Sequence, residues 1–494
     1  MGRASTFLVL LLAAAGTDAR APADAAVLRA SAAGEPIDVL IRLRAPAVKS
    51  LPAAAPFESR VASVVDSLRA RAARDQRGLR AALRARGIES RELWIANAVA
   101  ARIGPANVAW IAARAEVVAI ESDLPRPAGL PLPVARAAKG LPDVEPNVAR
   151  VRAPEVWALG YRGQGVVIGA QDTGYQWDHP ALRDAYRGWN GVSADHAYQW
   201  HDAIHALIGG GTNVCGINAP APCDDNGHGT HTLGTMLGDG GEGFRVGVAP
   251  SARWIACRNM DRGVGRPGTY LECMQWFMAP TDAAGANPRP DLAAHVISNS
   301  WSCPLGPPPS GENCATGSFD TALANLRAAG ILFVAAATNS GPGCSSVDDP
   351  PAISANALSV GATNNSDGVV GFSSRGPVLS DGSGRLKPDV MAPGFNVYSS
   401  IPGSAYGLNS GTSMATPNVA GVAALVMSAE PSLRGQPDQV AQILRETAQP
   451  ITVAETCGGV PGTNVPNNTA GWGRVDAFAA VLRATGNVHR DGFE

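Results

Sequence analysis

At 494 residues, with 45% hydrophobic and 17% charged residues, the chain is long enough for one large domain and a smaller partner and can bury a large core. A formal net charge of -2 and a pI near 6.5 exclude a global electrostatic pull toward nucleic acid or an anionic membrane. Any charged partner must be recognised locally.

Residues 1–21 combine Arg3, an apolar run from Phe7 to Ala15 and small residues from Gly16 to Ala21, the layout of a cleavable export signal. The run is shorter than the roughly 20 apolar residues a membrane helix needs. A secreted protein without a stable membrane span is therefore expected. From 22 to 125 the chain is rich in Ala and Arg and has no cysteine. "IDVLIRL" reads as a strand, and "FESRVASVVDSLRARAARDQRGLRAALRAR" reads as a helix with Val61, Val64, Val65 and Leu68 on one face. "LWIANAVAARI", "PANVAWIAAR" and "EVVAIESD" follow as strand, helix and strand, a small α+β domain. Residues 126–146 carry prolines that forbid a continuous helix or central strand, so an exposed, cleavable linker is expected there.

Between 147 and 485, apolar runs end in polar or glycine residues: "GVVIGAQD", "VGVAPSARWIACR", "AAHVISNSW", "GILFVAAATN" and "ALSVGA". They alternate with helical stretches such as "GTYLECMQWFMAPTD" and "SFDTALANLRAAG", the pattern of a mainly parallel sheet between two layers of helices. In such sheets the functional crevice lies at the carboxyl ends of the strands, where Asp172, Asn339 and Ser300 to Ser302 fall. The tail, 486–494, carries no readable signal. All eight cysteines lie after residue 214, and an even count behind an export signal favours disulfides. Neighbours in sequence are expected to pair, Cys215 with Cys223 and Cys303 with Cys314, each enclosing a short Gly/Pro-rich loop. No CxxC pair or Cys/His group has zinc-ligand spacing.

Three segments carry chemistry. In "GTSMATPNVAG", Ser413 precedes a helix of small apolar residues. Alone it is best explained as a helix cap, although a helix N-terminus also offers N–H groups and a positive dipole end to a developing oxyanion. In "DNGHGTHTLGT", His228 lies between two glycines and is a candidate base. A metal pair with His231 is the rival reading, but HxxH lacks the glutamate of the HExxH helix. His201 and His205 read as surface histidines. In "GVVIGAQDTG", Asp172 ends an apolar strand, where a partly buried carboxylate needs donors and an imidazole N–H is a suitable one. The bland alternative is a turn aspartate satisfying local backbone N–H groups.

Taken together, "AQDTGYQWDHP", "HGTHTLGT" and "GTSMATPNVAG" resemble the three hallmark segments of the subtilisin-like serine peptidases, in the Asp, His, Ser order of that family. The resemblance spans about residues 145 to 485 and includes "GFSSRGP", "KPDVMAPG" and "AGWGRVDAFAAV"; "WIACRNMD" followed by "YLECMQWFMAPTD" looks like its bacillopeptidase-F-like branch. It implies a subtilisin-like three-layer α/β domain preceded by a small α+β propeptide domain. It further implies that Asp172 orients His228, that His228 is general base and acid, and that Ser413 is the nucleophile. Asn339 and the Ser413 N–H match the oxyanion hole, and Ser300, Trp301 and Ser302 match the strand end on which substrate backbone pairs.

The implied protein is a secreted endopeptidase acting on protein or peptide substrates, made as a zymogen whose 22–125 domain is an intramolecular inhibitor, and monomeric. No cofactor is implied for catalysis. A structural calcium occurs in the family, but no loop here has convincing ligand spacing. Thr338 stands where many relatives have glycine, so the wall of the main specificity pocket is expected to be altered. The cysteine-bearing loops 209–226 and 303–316 look like additions beside the cleft. The alternative is a catalytically silent binding module of the same fold. An α/β-hydrolase esterase fails on motif, because Ser413 lies in GTSMA and not in GxSxG.

Overall fold

A computed structural model describes residues 20–486 apart from 46–47, 49–50, 53–54, 132–133, 136–142, 209, 242–243 and 306–313. Nearly all of the expected export signal and tail therefore lie outside the described residues.

The N-terminal unit is a four-stranded antiparallel sheet in the order Ser90–Leu93, Ala98–Ile103, Ile37–Leu43, Val117–Ser122. The long expected helix is divided at Gln76 into Phe57–Asp75 and Arg77–Arg84, and the Gln76 amide donates to Asn97 at 3.2 Å. Asn97 itself takes a left-handed φ of 47° and turns the single expected strand "LWIANAVAARI" into a hairpin. Helix Ala25–Ala33, capped by the Asp24 carboxylate, was not anticipated. Its pattern of alanines is too uniform to show a face.

The larger unit is built on seven parallel strands in the order Val390–Pro393, Leu358–Thr363, Leu332–Ala336, Val296–Asn299, Val167–Asp172, Arg253–Arg258, Trp200–Asp202. Val167–Asp172 is flanked on its two sides by strands that follow it in the chain, so the direction of winding reverses there and a crevice opens at the carboxyl ends. On one face lie helices Thr412–Ala429 and His228–Leu237; on the other lie Pro267–Met278 and Thr316–Ala329. Thr412–Ala429 is buried through almost its whole length, which explains why its small residues show no polar face. The three-layer α/β architecture expected from the alternation of runs is the one observed.

The N-terminal sheet rests on helices Pro267–Met278 and Thr316–Ala329. Asp123 accepts from the N–H of Gly268 at 2.7 Å, in the first turn of the first of these helices, and Asn325 donates to the Ile95 carbonyl at 2.6 Å. Phe57 stacks on His295 with centroids 4.6 Å apart. Four disulfides join Cys215 to Cys223, Cys257 to Cys273, Cys303 to Cys314 and Cys344 to Cys457. The two expected pairs are among them, and the last closes a separation of 113 residues.

Candidate active site

Asp172 stands at a strand end and His228 and Ser413 at the starts of two helices that pack on each other, at 1%, 0% and 3% exposure. His228 opens its helix directly after Gly227, whose φ of 95° is a conformation that side chains resist. A Cβ on Gly229 would meet the Gly174 carbonyl at 2.1 Å, so only glycine lets the helix start close against the strand end. His228 Nδ1 then lies 2.8 Å from Asp172 Oδ1 and 3.0 Å from Oδ2, which fixes the tautomer with the proton on Nδ1. Nε2 is left without a partner among the described residues. The turn alternative for Asp172 is also realised, since Oδ1 accepts from the Thr173 N–H at 2.7 Å.

Ser413 is the second residue of helix Thr412–Ala429. Its hydroxyl donates to the Ser300 carbonyl at 3.0 Å, and the Ser300 hydroxyl donates to the Ser413 carbonyl at 2.8 Å. The Asn339 side-chain oxygen accepts from both the N–H and the hydroxyl of Thr412 at 2.9 Å. Its amide nitrogen makes no hydrogen bond among the described residues, and Asn339 lines the same cavity as Ser413. Trp301 is buried, stacked on Tyr270 at 3.8 Å and donating to the Gln171 carbonyl at 3.1 Å. It also lines the cavity beside Ser413. Ser302 lies on the cavity and donates to Asp349 at 3.3 Å.

Thr338 adopts a φ of 78°, a left-handed conformation that a β-branched residue resists. Its hydroxyl is 2.6 Å from that of Ser374. Thr338 lines a 300 Å³ cavity beside Ser413.

Other histidines are accounted for. His231 Nε2 faces the Val397 and Gly407 carbonyls at 3.1 Å, and burial depresses its pKa to about 3, which favours neither a metal pair nor a second base. His205 is exposed, as expected, and His201 is half-buried; both reach Glu272 Oε1 at 2.8 Å. Arg91 of the N-terminal unit pairs with the other Glu272 oxygen. Among the described residues no group of three or more His, Cys, Asp or Glu side chains is arranged to hold a metal ion.

Sequence reasoning missed Asp224. Its carboxylate accepts from the N–H groups of Asn226, Gly227 and Thr230 and from the hydroxyls of Thr173 and Thr230, between 2.6 and 3.1 Å. It caps the His228 helix at a position where negative charge is favoured. The signal was legible in principle as an Asp ahead of a helix start.

The described part of the expected linker runs along this cleft. Arg126–Pro127 pairs antiparallel with Val264–Gly265, and Val134–Ala135 pairs antiparallel with Gly407–Leu408. Between them Leu130 lines the cavity beside Ser413, and the Pro131 carbonyl accepts from Asn409 at 3.0 Å. The described part of the segment is mostly half-buried, with Pro127, Gly129 and Val134 exposed, and it is strand-paired at both ends. Pro127 is tolerated because a two-residue edge pairing needs few donors.

Residues 163–473 match the model of the Subtilase family. The chain is 36% identical over 359 residues to bacillopeptidase F of Bacillus subtilis (strain 168), covering 71% of this chain and 23% of that protein. It is 34% identical over 287 residues to subtilisin Savinase of Lederbergia lenta, covering 58% and 85%. It is 29% identical over 288 residues to subtilisin E of Bacillus subtilis (strain 168), covering 58% and 61%. The match thus spans about a quarter of bacillopeptidase F, yet it extends over more of this chain than the matches to the two subtilisins. On the family match, the relatives and the seven-stranded parallel fold, the chain belongs to the subtilase family, in its bacillopeptidase-F-like branch.

Proposed function

We propose that the protein is a serine endopeptidase that hydrolyses peptide bonds through an acyl-enzyme, with Ser413 as nucleophile, His228 as base and Asp172 as its orienting acid. The observation that carries this reading is the buried Asp172–His228 pair, whose Nε2 has no partner among the described residues, on a helix packed against the one that Ser413 begins.

Ser413 turns its hydroxyl from the Ser300 carbonyl toward His228 Nε2, which takes the proton as Oγ attacks the scissile carbonyl. Asp172 holds the imidazole and stabilises its charged form. The oxyanion receives the Asn339 amide and the Ser413 N–H; one such donor is worth roughly 3–4 kcal/mol in the transition state. His228 then returns the proton to the leaving amine, and water repeats the sequence in reverse. Every step uses groups of the chain itself.

The same reading makes residues 22–125 an inhibitory propeptide and 126–146 the region of its removal. Support comes from the docking of the N-terminal sheet on helices Pro267–Met278 and Thr316–Ala329 and from the strand-paired segment along the cleft. Export through residues 1–21 fits four disulfides, which persist in oxidising compartments. Among the described residues no helix is long and apolar enough to cross a membrane. A silent binding module would have no use for so complete a set of catalytic groups.

The test is to express the full chain and its Ser413→Ala variant and incubate each with casein and a fluorophosphonate probe. Proteolysis and labelling by the parent alone are expected. Equal casein loss with both proteins, or labelling elsewhere than Ser413, overturns the assignment.

A further inference from the structure

The cavity beside Ser413 is closed by Ser302, Ala336, Thr338 and Asn339 and, among the described residues, has a single ionisable side chain in its lining, Asp349. That carboxylate has no cationic partner among the described residues. Among the described residues its hydrogen bonds are from the Leu305 N–H at 2.9 Å and the Ser302 hydroxyl at 3.3 Å. An ionised carboxylate has about four acceptor sites, so acceptor capacity remains for an incoming group. Both donors hold the carboxylate in place and neither neutralises it. The nearest like charge is the preceding Asp348, so the local field is negative.

Burial, helped by Asp348, pushes the Asp349 carboxyl up to about 6. At neutral pH it is still mainly ionised, but in an environment that would gain from a cation. An unpaired carboxylate in a partly dry cavity is costly, and the two donors that hold it would serve a neutral acceptor equally well. The charge therefore calls for an explanation beyond the local turn. The cavity adjoins the Ser413 hydroxyl and the Asn339 amide, the place where the side chain next to the scissile carbonyl enters.

We propose that Asp349 makes this cavity selective for a cationic side chain, so that the enzyme cleaves after Arg or Lys. The inference rests on the peptidase reading above. A guanidinium or ammonium entering past Thr338 meets the free acceptor sites of Asp349, forming a charge-assisted contact that an apolar side chain cannot make.

The experiment uses the protein obtained by expressing the full chain and allowing it to process, assayed on peptides differing only in Arg, Lys, Leu or Phe before the scissile bond. Arg and Lys peptides should have the highest kcat/KM. Asp349→Asn keeps an acceptor for both donors and removes the charge. It should lower kcat/KM for Arg and Lys peptides by about 10- to 100-fold, as for loss of one charge-assisted contact, while leaving the Leu peptide nearly unchanged. The Leu activity reports that the variant is folded. Should the variant fail to fold, n-butylguanidine is applied to the parent: competitive inhibition of Leu-peptide cleavage supports a cation-accepting cavity, and its absence counts against one. A parent that prefers Leu or Phe, or a variant with an unchanged Arg-to-Leu ratio, overturns the role of Asp349 and leaves the peptidase reading standing. A parent that cleaves no peptide and takes no fluorophosphonate overturns both.

Discussion

Ser300 supplies the hydrogen bond that Pro417 cannot make. In a regular helix the Ser413 carbonyl would accept from the N–H four residues on, but that residue is Pro417, which has none. The Ser300 hydroxyl fills the vacancy at 2.8 Å, and so ties the start of the helix bearing Ser413 to the end of strand Val296–Asn299. Ser300→Ala should leave a buried carbonyl unsatisfied, at a cost of about 1–3 kcal/mol, and should lower kcat by loosening Ser413. Pro417→Ala restores an N–H, so adding it to Ser300→Ala should recover part of the loss. Urea unfolding of the four proteins of this cycle, in a Ser413→Ala background to prevent self-digestion, measures the coupling. Additive effects would show that the Ser300 hydroxyl does not substitute for the missing N–H.

Asp224 holds His228 in place without touching it. Five donors converge on its carboxylate, three of them backbone N–H groups around the start of the His228 helix. Asp224→Ala should cost about 1–3 kcal/mol of stability and reduce kcat more than it raises KM, because the base is misplaced while the binding cavity is intact. Asp224→Asn keeps an acceptor and should recover most of the stability. A KM effect without a kcat effect would show that the residue acts on substrate binding instead.

These two relationships mark what was legible in the sequence. Asp172, His228, Asn339 and Ser413 are each set in short motifs whose glycines have local steric reasons, as at Gly227 and Gly229, and the parallel strands announce themselves as apolar runs. Ser300 meets Ser413 across 113 residues, Ser302 meets Asp349 across 47, and Glu272 meets His201 across 71. Contacts of that range depend on the packing of the whole sheet, and no local pattern encodes them. The division of the long N-terminal helix at Gln76 was hidden for a related reason, since Gln76 has good helix propensity and its side chain is drawn instead to Asn97.

Docking of the N-terminal unit should weaken as the pH falls. His295, covered by Phe57, is held by burial at about 3 against an ordinary 6.5. His201, beside the Glu272 that Arg91 engages, is likewise held at about 3. Each contributes stability that is present above 6.5 and lost as the pH falls through the window toward 3. Asp123 opposes them: burial, against the Gly268 N–H, Arg91 and Arg266 that lower it, and with Asp38 that raises it, leaves it at about 6 against 3.8. Its contribution is present below 3.8 and lost as the pH rises through 6. Glu121, raised by burial where it accepts from Ser318 of the larger unit, acts in the same direction as Asp123, so the histidines prevail mainly between about pH 6.5 and about 6, before Asp123 begins to gain. Size-exclusion chromatography after cleavage between the units should show more dissociation at pH 5 than at pH 7, with His295→Asn reducing the difference. Tighter association at pH 5 would contradict the balance.

The Cys344–Cys457 disulfide should matter more to stability than Cys215–Cys223, because it closes 113 residues where the other closes 8. On the chain-entropy argument the two are worth about 5 and about 2.5 kcal/mol. The longer link also has a local consequence. Cys344 lies in the loop whose Ser346 carbonyl accepts from the Thr338 hydroxyl and whose Asp349 faces the cavity, so the bond braces the cavity wall against the Thr456–Pro461 hairpin. Replacing both partners, Cys344→Ser with Cys457→Ser, should lower the thermal midpoint more than the corresponding pair at 215 and 223. It should also raise KM, through a looser wall, with a smaller change in kcat. Equal thermal shifts for the two pairs would place the stabilisation in something other than loop closure, and an unchanged KM would show that the wall holds its shape without the bond.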